Sequence, residues 1–124
     1  MLKHKYLILS IGWVCFITYL SLFNLSDAPK VEIDNFDKYV HTTFHFINTL
    51  LVYLFIKYEL DSKWIKHCLI LAMFVDVVYG VVIEVLQGTL TTTRHMDYMD
   101  VLFNTLGTIL ASLVVKFIIE KAKR

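Results

Sequence analysis

The fold is decided by residues 79–107, which read YGVVIEVLQGTLTTTRHMDYMDVLFNTLG. Both ends of this stretch belong to apolar runs that are long enough to cross a membrane. Six polar side chains interrupt these runs or the loop between them: Glu84, Gln87, Arg94, Asp97, Asp100 and Asn104. An ionisable group inside a bilayer is costly, so such groups are rare and face the interior of a bundle. The stretch therefore predicts a polar site within a membrane protein.

Four apolar runs account for most of the 124 residues, a length that suits one domain. Hydrophobic residues make up 57% of the chain and its mean hydropathy is +0.62, which exceeds the usual apolar content of soluble domains. The predicted spans are residues 6–23, 40–56, 67–87 and 101–119. We therefore expect an all-α membrane protein, a four-transmembrane-helix bundle that forms a single domain over residues 1–124.

Positive charge is distributed unevenly between the two sides of the predicted bundle. Four spans place both termini on one side, and that side carries 9 of the 12 Lys and Arg residues. Only Lys30, Lys38 and Arg94 lie on the other side. The positive-inside rule then predicts that both termini are cytoplasmic. Nucleic acid is not an expected partner, because the sequence contains no basic stripe.

Polar and small residues recur at helical spacing on three of the four spans. They are Asp37, His41, His45 and Asn48 on the second span, Asp76, Gly80, Glu84 and Gln87 on the third, and Asp97, Asp100, Asn104, Gly107 and Ala111 on the fourth. Each set lies on one face of its helix, and we expect the three faces to meet. The first span has no such face and is predicted to pack beside the others as a wall.

The polar residues fall at two depths. His41, Glu84 and Asp100 lie near the predicted outer boundary, with Glu84 one helical turn, or roughly 5 Å, inside it. A second set lies deeper, near the middle of the membrane: Asp76, His45 and Asn48.

Simple structural roles are open for several of these residues. Asp37 and Asp100 suit the N-termini of helices, where the dipole favours an anion. Asn104 suits an interhelical hydrogen bond, as does Asn48, and Gly107 suits a close helix contact. Glu84 and Arg94 could form a structural ion pair, although several more titratable groups are expected in the same region, which favours a working site.

Two motifs together resemble the VanZ-like family of small bacterial membrane proteins. One is Asp37-Lys38-Tyr39-Val40-His41, and the other runs as G-x-x-x-E-x-x-Q, a loop with Arg94, and D-x-x-x-N-x-x-G over residues 80–107. The similarity covers about residues 36–112. It implies a multi-pass protein of the bacterial cytoplasmic (inner) membrane, and the namesake of the family is associated with low-level teicoplanin resistance.

The leading hypothesis is a ligand site near the outer leaflet for the headgroup of an anionic membrane lipid or a lipid-linked cell-wall precursor. Arg94 and Lys38 would hold its phosphate or carboxylate. The predicted ligand-binding residues are Asp37, Lys38, His41, Glu84, Gln87, Arg94, Asp97, Asp100 and Asn104. His41, Glu84 and Asp100 are the candidates for proton transfer if the protein is an enzyme, but no nucleophile is evident and an enzyme is not the favoured interpretation.

Two other classes of function stay open. Asp76 and His45 could serve proton- or ion-linked transport, which with four spans would require a homo-oligomer. Alternatively, the polar cluster only locks the bundle of a structural envelope protein. His41 and His45 are spaced like metal ligands on a helix, but no further ligand pattern accompanies them, so we expect neither a metal nor a cofactor.

Overall fold

The computed structural model describes residues 3–22, 36–60, 67–90, 98–119 and 121, and these residues form an all-helical bundle without strands. The helices are α1 (Lys5–Leu22), α2 (Phe36–Tyr58), α3 (Cys68–Leu90) and α4 (Tyr98–Val114). A π-helical segment, Val115–Ile119, continues α4. Within the described ranges, four helices are long and apolar enough to cross a membrane. The predicted fold class is confirmed, and three of the helices begin or end a few residues outside the predicted spans.

The outward surface of the bundle is apolar along each helix. Large side chains such as Ile8 on α1, Phe74 on α3 and Leu102 on α4 are more than half exposed. In water this surface would be unfavourable, whereas in a bilayer it meets lipid chains of the same polarity. Most buried side chains are polar instead, as expected when the solvent around the protein is apolar.

Consecutive helices run antiparallel, so the bundle has two ends. We call the end that contains Lys38, Leu90 and Tyr98 the Lys38 end, and the opposite one, with Lys5 and Tyr58, the Tyr58 end. The Tyr58 end holds the apolar core, which consists of Val52, Tyr53, Ile56, Ala72 and Val115.

The closest helix contact joins α2 and α4 at Gly107. A Cβ atom on this glycine would overlap the carbonyl oxygen of Thr42 and lie 3.0 Å from the backbone nitrogen of Phe46. Ala111, one turn further on, is fully buried. The prediction that Gly107 serves a close helix contact is confirmed. The Thr42 hydroxyl adds a hydrogen bond to the carbonyl of Phe103 at 3.2 Å.

Helix α1 does more than pack as a wall. Its first turn receives the carboxylate of Glu59, which accepts hydrogen bonds from the backbone N–H groups of Tyr6 and Leu7 at 2.5 and 2.9 Å. The Trp13 indole donates to the carbonyl of Phe44 at 2.9 Å. The prediction missed these contacts because they use backbone groups and a residue beyond the predicted end of the second span.

Candidate functional site

Side chains of α2 and α4 form a polar cluster at the Lys38 end. The Lys38 ammonium lies 2.5 Å from the carboxylate of Asp100, and both side chains are almost buried, with 13% and 10% of their area exposed. The other oxygen of Asp100 lies 3.8 Å from His41 Nε2. His41 Nδ1 lies 3.0 Å from the side-chain oxygen of Asn104. We call these four residues the outer cluster.

The register of the two helices explains this cluster. Lys38 and His41 are three residues apart on α2, and Asp100 and Asn104 are four apart on α4, so each pair lies on one helix face. The close approach at Gly107 brings those two faces together. Asp100 is also in the first turn of α4, where the helix dipole favours a carboxylate. Asp100 also forms an ion pair with Lys38, so its role is not limited to the N-terminus of α4.

A second cluster surrounds Asp76 in the middle of the bundle. His45 Nδ1 lies 2.9 and 3.0 Å from the two carboxylate oxygens of Asp76. Asn48 donates to the same carboxylate at 2.7 Å, and the hydroxyl of Thr108 also donates to it. Because an ionised carboxylate only accepts hydrogen bonds, His45 donates from Nδ1. We call Asp76, His45, Asn48 and Thr108 the deep cluster, and each member is at least 98% buried.

The two clusters meet around Asn104 and Gly80. The Thr108 hydroxyl lies 3.2 Å from the backbone carbonyl of Asn104. A Cβ atom on Gly80 would lie 3.2 Å from Asn104 Nδ2 and 3.2 Å from His45 Cε1, so the glycine of α3 faces both clusters. The predicted meeting of the three polar faces is thus confirmed for the described residues.

Glu84 and Gln87 lie on the same face of α3, closer to the Lys38 end. Glu84 is 1% exposed and Gln87 is 2% exposed. The side-chain amide of Gln87 donates to the carbonyl of Ser21 in α1 at 3.0 Å, which gives this residue a structural contact. Because α3 continues to Leu90, three residues beyond the predicted span, Glu84 lies about 9 Å from the end of its helix.

Three predicted site residues cannot be placed. Arg94 and Asp97 lie outside the described residues, and so does the side chain of Asp37. Ligand binding by the predicted set therefore stays a prediction for every member. Within the described ranges, no group of three or more His, Cys, Asp or Glu side chains is arranged to hold a metal ion.

Sequence reasoning missed one member of the deep cluster. Thr108 follows Asn104 by four residues, so it continues the same polar face of α4. That spacing was the available signal, but threonine is common in membrane helices, where its hydroxyl can bond to a backbone carbonyl. Thr49 was missed as well, and its hydroxyl contacts that of Thr108 at 3.5 Å.

Comparison with known proteins identifies the family. The family model VanZ/LLP1 matches residues 6–119, nearly the whole chain. The chain therefore belongs to the VanZ/LLP1 family, and the resemblance drawn from its motifs is confirmed. No curated protein and no solved structure matches the chain significantly.

Proposed function

We propose that this member of the VanZ/LLP1 family binds the anionic headgroup of a membrane lipid or a lipid-linked cell-wall precursor at the Lys38 end, which the charge distribution predicts to face outward. The observation that carries the proposal is the outer cluster. It brings an ammonium, an imidazole, a carboxylate and an amide together, nearly buried, close to the first turns of α2 and α4.

The charges of the outer cluster suit an anion. Lys38 brings a positively charged ammonium group, which donates to Asp100. His41 adds an imidazole, whose ring nitrogens can donate or accept hydrogen bonds. Arg94, in the sequence between α3 and α4, would supply a guanidinium fork that matches a phosphate or carboxylate. Asp100 would then hold Lys38 in place and orient the ligand.

The structure offers limited support for catalysis at this end. His41 and Asp100 are close enough to exchange a proton through a small adjustment or one water molecule. The contacts given for His41 join it to Asp100 and Asn104, and neither side chain carries a hydroxyl or thiol. Binding is the function that these contacts favour.

The alternative of ion-linked transport has less support. Polar side chains extend from the Lys38 end to the deep cluster, but most of the buried residues further towards the Tyr58 end are apolar, with Ser10 of α1 as an exception. A transmembrane path would need polar groups or water through this core as well. The purely structural alternative is tested by the experiment that follows.

Lipid retention tests the proposal directly. The full chain would be purified in a mild detergent from bacterial membranes, and its bound lipids would be identified by mass spectrometry. Glu84→Gln and Arg94→Lys are the test variants, because each removes a predicted ligand contact at the Lys38 end. Glu59→Gln is the matched control, since this carboxylate lies at the Tyr58 end against α1.

The proposal expects one class of anionic lipid to remain with the wild type and with Glu59→Gln, and to be lost from both test variants. Equal retention by all four proteins would overturn it. A structural lock predicts a different result: Arg94→Lys would lower the melting temperature, and adding Glu84→Gln would restore part of it by removing a stranded charge.

A further inference from the structure

We propose that the Asp76–His45 pair is a proton-binding site that exchanges its proton with the Lys38 end of the bundle and not with the Tyr58 end. The inference is independent of the headgroup proposal. Three observations support it. They are the contacts between the Asp76 and His45 side chains, a series of polar groups that leads to the Lys38 end, and a mainly apolar layer towards the Tyr58 end.

The pair itself is built to hold a proton. The imidazole faces both carboxylate oxygens at 2.9 and 3.0 Å, and the two side chains are 1% and 0% exposed. One proton shared between them leaves a pair with no net charge, which is the least costly state in a medium of low polarity. Asn48 and Thr108 donate to the carboxylate and hold it in position. Gain or loss of one proton then changes the net charge of the whole centre.

A chain of polar groups connects the pair to the Lys38 end. Thr108 contacts both the Asp76 carboxylate and the carbonyl of Asn104. The side chain of Asn104 contacts His41, and His41 faces Asp100. The longest of these contacts is 3.8 Å. Such a distance is bridged by one water molecule or by a small side-chain movement. Water would also have to join the backbone and side-chain oxygens of Asn104, because both only accept hydrogen bonds.

Two buried atoms mark where water would complete this chain. Asn104 Nδ2 and Asn48 Oδ1 are buried and make no hydrogen bond. Buried polar groups of this kind are usually satisfied by an ordered water. Asn104 Nδ2 lies beside Gly80 and His45, where the two clusters meet. Gly80 leaves the space that a side chain would otherwise narrow.

The opposite end is mainly apolar, and the cavity of about 420 Å³ that opens there between α1, α2 and α3 has an apolar lining. Below Asp76 on α3, Ala72 is fully buried, and it packs with Val52, Tyr53, Ile56 and Val115. All but Tyr53 are purely aliphatic, and the Tyr53 hydroxyl accepts a hydrogen bond from Lys57 at the end of α2. A proton that left His45 towards the Tyr58 end would therefore have to cross an apolar layer. A transport path would need polar groups or water through this layer, whereas a site with access from the Lys38 end alone would not.

Other titratable groups surround the pair and would influence its proton. They are Cys15 on α1, Lys38 and His41 on α2, Tyr79 and Glu84 on α3, and Asp100 on α4. Tyr79 is nearest to the imidazole, with ring centroids 5.9 Å apart, but its hydroxyl is engaged with Thr18 of α1 at 2.7 Å. The experiment must therefore separate Asp76 from the other carboxyl groups.

Infrared difference spectroscopy makes that separation. The full chain would be reconstituted in vesicles of phosphatidylglycerol and phosphatidylethanolamine, and spectra at acidic and neutral pH would be subtracted. We expect carboxyl and imidazole bands that disappear in Asp76→Asn and persist in Glu59→Gln, the control carboxylate at the Tyr58 end. Identical difference spectra for the wild type and Asp76→Asn would overturn the proposal.

A measurement on the wild type covers the case in which Asp76→Asn does not fold. The chain has five histidines, and ¹⁵N labelling of their rings reports the protonation of each nitrogen. Nδ1 of His45 faces the carboxylate, so a proton gained by either member of the pair should shift the resonance of this nitrogen. A His45 ring whose nitrogen resonances do not change over the whole pH range would contradict proton binding.

Two further experiments test whether the proton exchanges with the Lys38 end alone. Vesicles loaded with a pH-sensitive dye should show no faster proton entry with the protein than without it. Gly80→Ala should slow the exchange of the deep carboxyl with heavy water, whereas Gly12→Ala should not, because a Cβ at Gly12 meets nothing within 4 Å. Faster proton entry with the wild type than with Asp76→Asn would contradict access from one end only. Equal exchange rates of the deep carboxyl in the two glycine variants would contradict it as well.

Discussion

At the residue scale, the most informative contact is the ion pair between Lys38 and Asp100. The sequence indicated that both side chains lie near one end of the bundle, but it could not pair them. The sequence suggested an ion pair between Glu84 and Arg94 as one alternative and none between Lys38 and Asp100. Periodicity places a residue on a helix face but does not determine which opposite charge is nearest. The observed pair depends on how far α2 and α4 slide along each other, and the backbone contact at Gly107 determines that register.

The deep carboxylate should depend strongly on the Thr108 hydroxyl. Thr108→Val keeps the side-chain shape but removes a donor to a fully buried carboxylate. We expect the free energy of unfolding to fall by about 2 kcal/mol, since a buried charged acceptor loses one hydrogen bond. Denaturant titration followed by circular dichroism in detergent would measure this change.

Thr49→Val is the matched control for that substitution. The Thr49 hydroxyl is equally buried, but its only contact in the deep cluster is a 3.5 Å bond to Thr108. Its removal should cost less than about 1 kcal/mol. Equal losses for the two variants would show that the Asp76 carboxylate is not stabilised through Thr108.

At the element scale, the packing of α2 against α4 depends on one glycine. Gly107→Ala should lower the free energy of unfolding by about 3 kcal/mol, because the new methyl group would overlap backbone atoms of α2 that cannot move separately. It should also disturb the outer cluster, which the same contact aligns. Thermal melting of the purified chain would test the prediction.

The comparison residue is Gly12 on α1. A Cβ atom there meets nothing within 4 Å, and alanine is the better helix former. Gly12→Ala should therefore leave the melting temperature unchanged or raise it slightly. A similar loss of stability in both glycine variants would contradict the helix contact assigned to Gly107.

The elements also show what the sequence could and could not predict. The four helices and the polar faces on three of them followed from hydropathy and from spacings of three and four residues. The contacts of α1 did not, because the Glu59 carboxylate and the Trp13 indole bind backbone atoms of other helices. Backbone acceptors and donors leave no pattern in the sequence. The predicted third span ended at residue 87, whereas α3 continues to Leu90, since apolarity alone does not mark the end of a helix.

At the scale of the whole molecule, the bundle inverts the usual arrangement of a soluble protein. Its interior is polar from the Lys38 end to the deep cluster, and its exterior is apolar. The orientation of the bundle in the membrane determines whether this polar interior opens towards the outer or the inner leaflet. Charge asymmetry predicts that both termini are cytoplasmic and that the Lys38 end faces outward.

Chemical labelling would test this orientation. After Cys15 and Cys68 are replaced by serine, a single cysteine in the segment 88–99 should react with a membrane-impermeant reagent in intact cells. A cysteine at Lys121, near the C-terminus, should react only after the membrane is permeabilised. The reverse pattern would place the Lys38 end in the cytoplasm and would move the proposed ligand site to the inner leaflet.

The central claim is that the outer cluster exists for a ligand and not for the stability of the bundle. Lys38→Met combined with Asp100→Leu tests it most directly, because replacing a nearly buried ion pair by apolar residues of similar size is often neutral or stabilising. The measurement is the retention of anionic lipid by the double variant, determined together with its melting temperature. The account predicts an unchanged or higher melting temperature and the loss of the bound lipid. Full retention of the lipid, with a clear fall in the melting temperature, would contradict it.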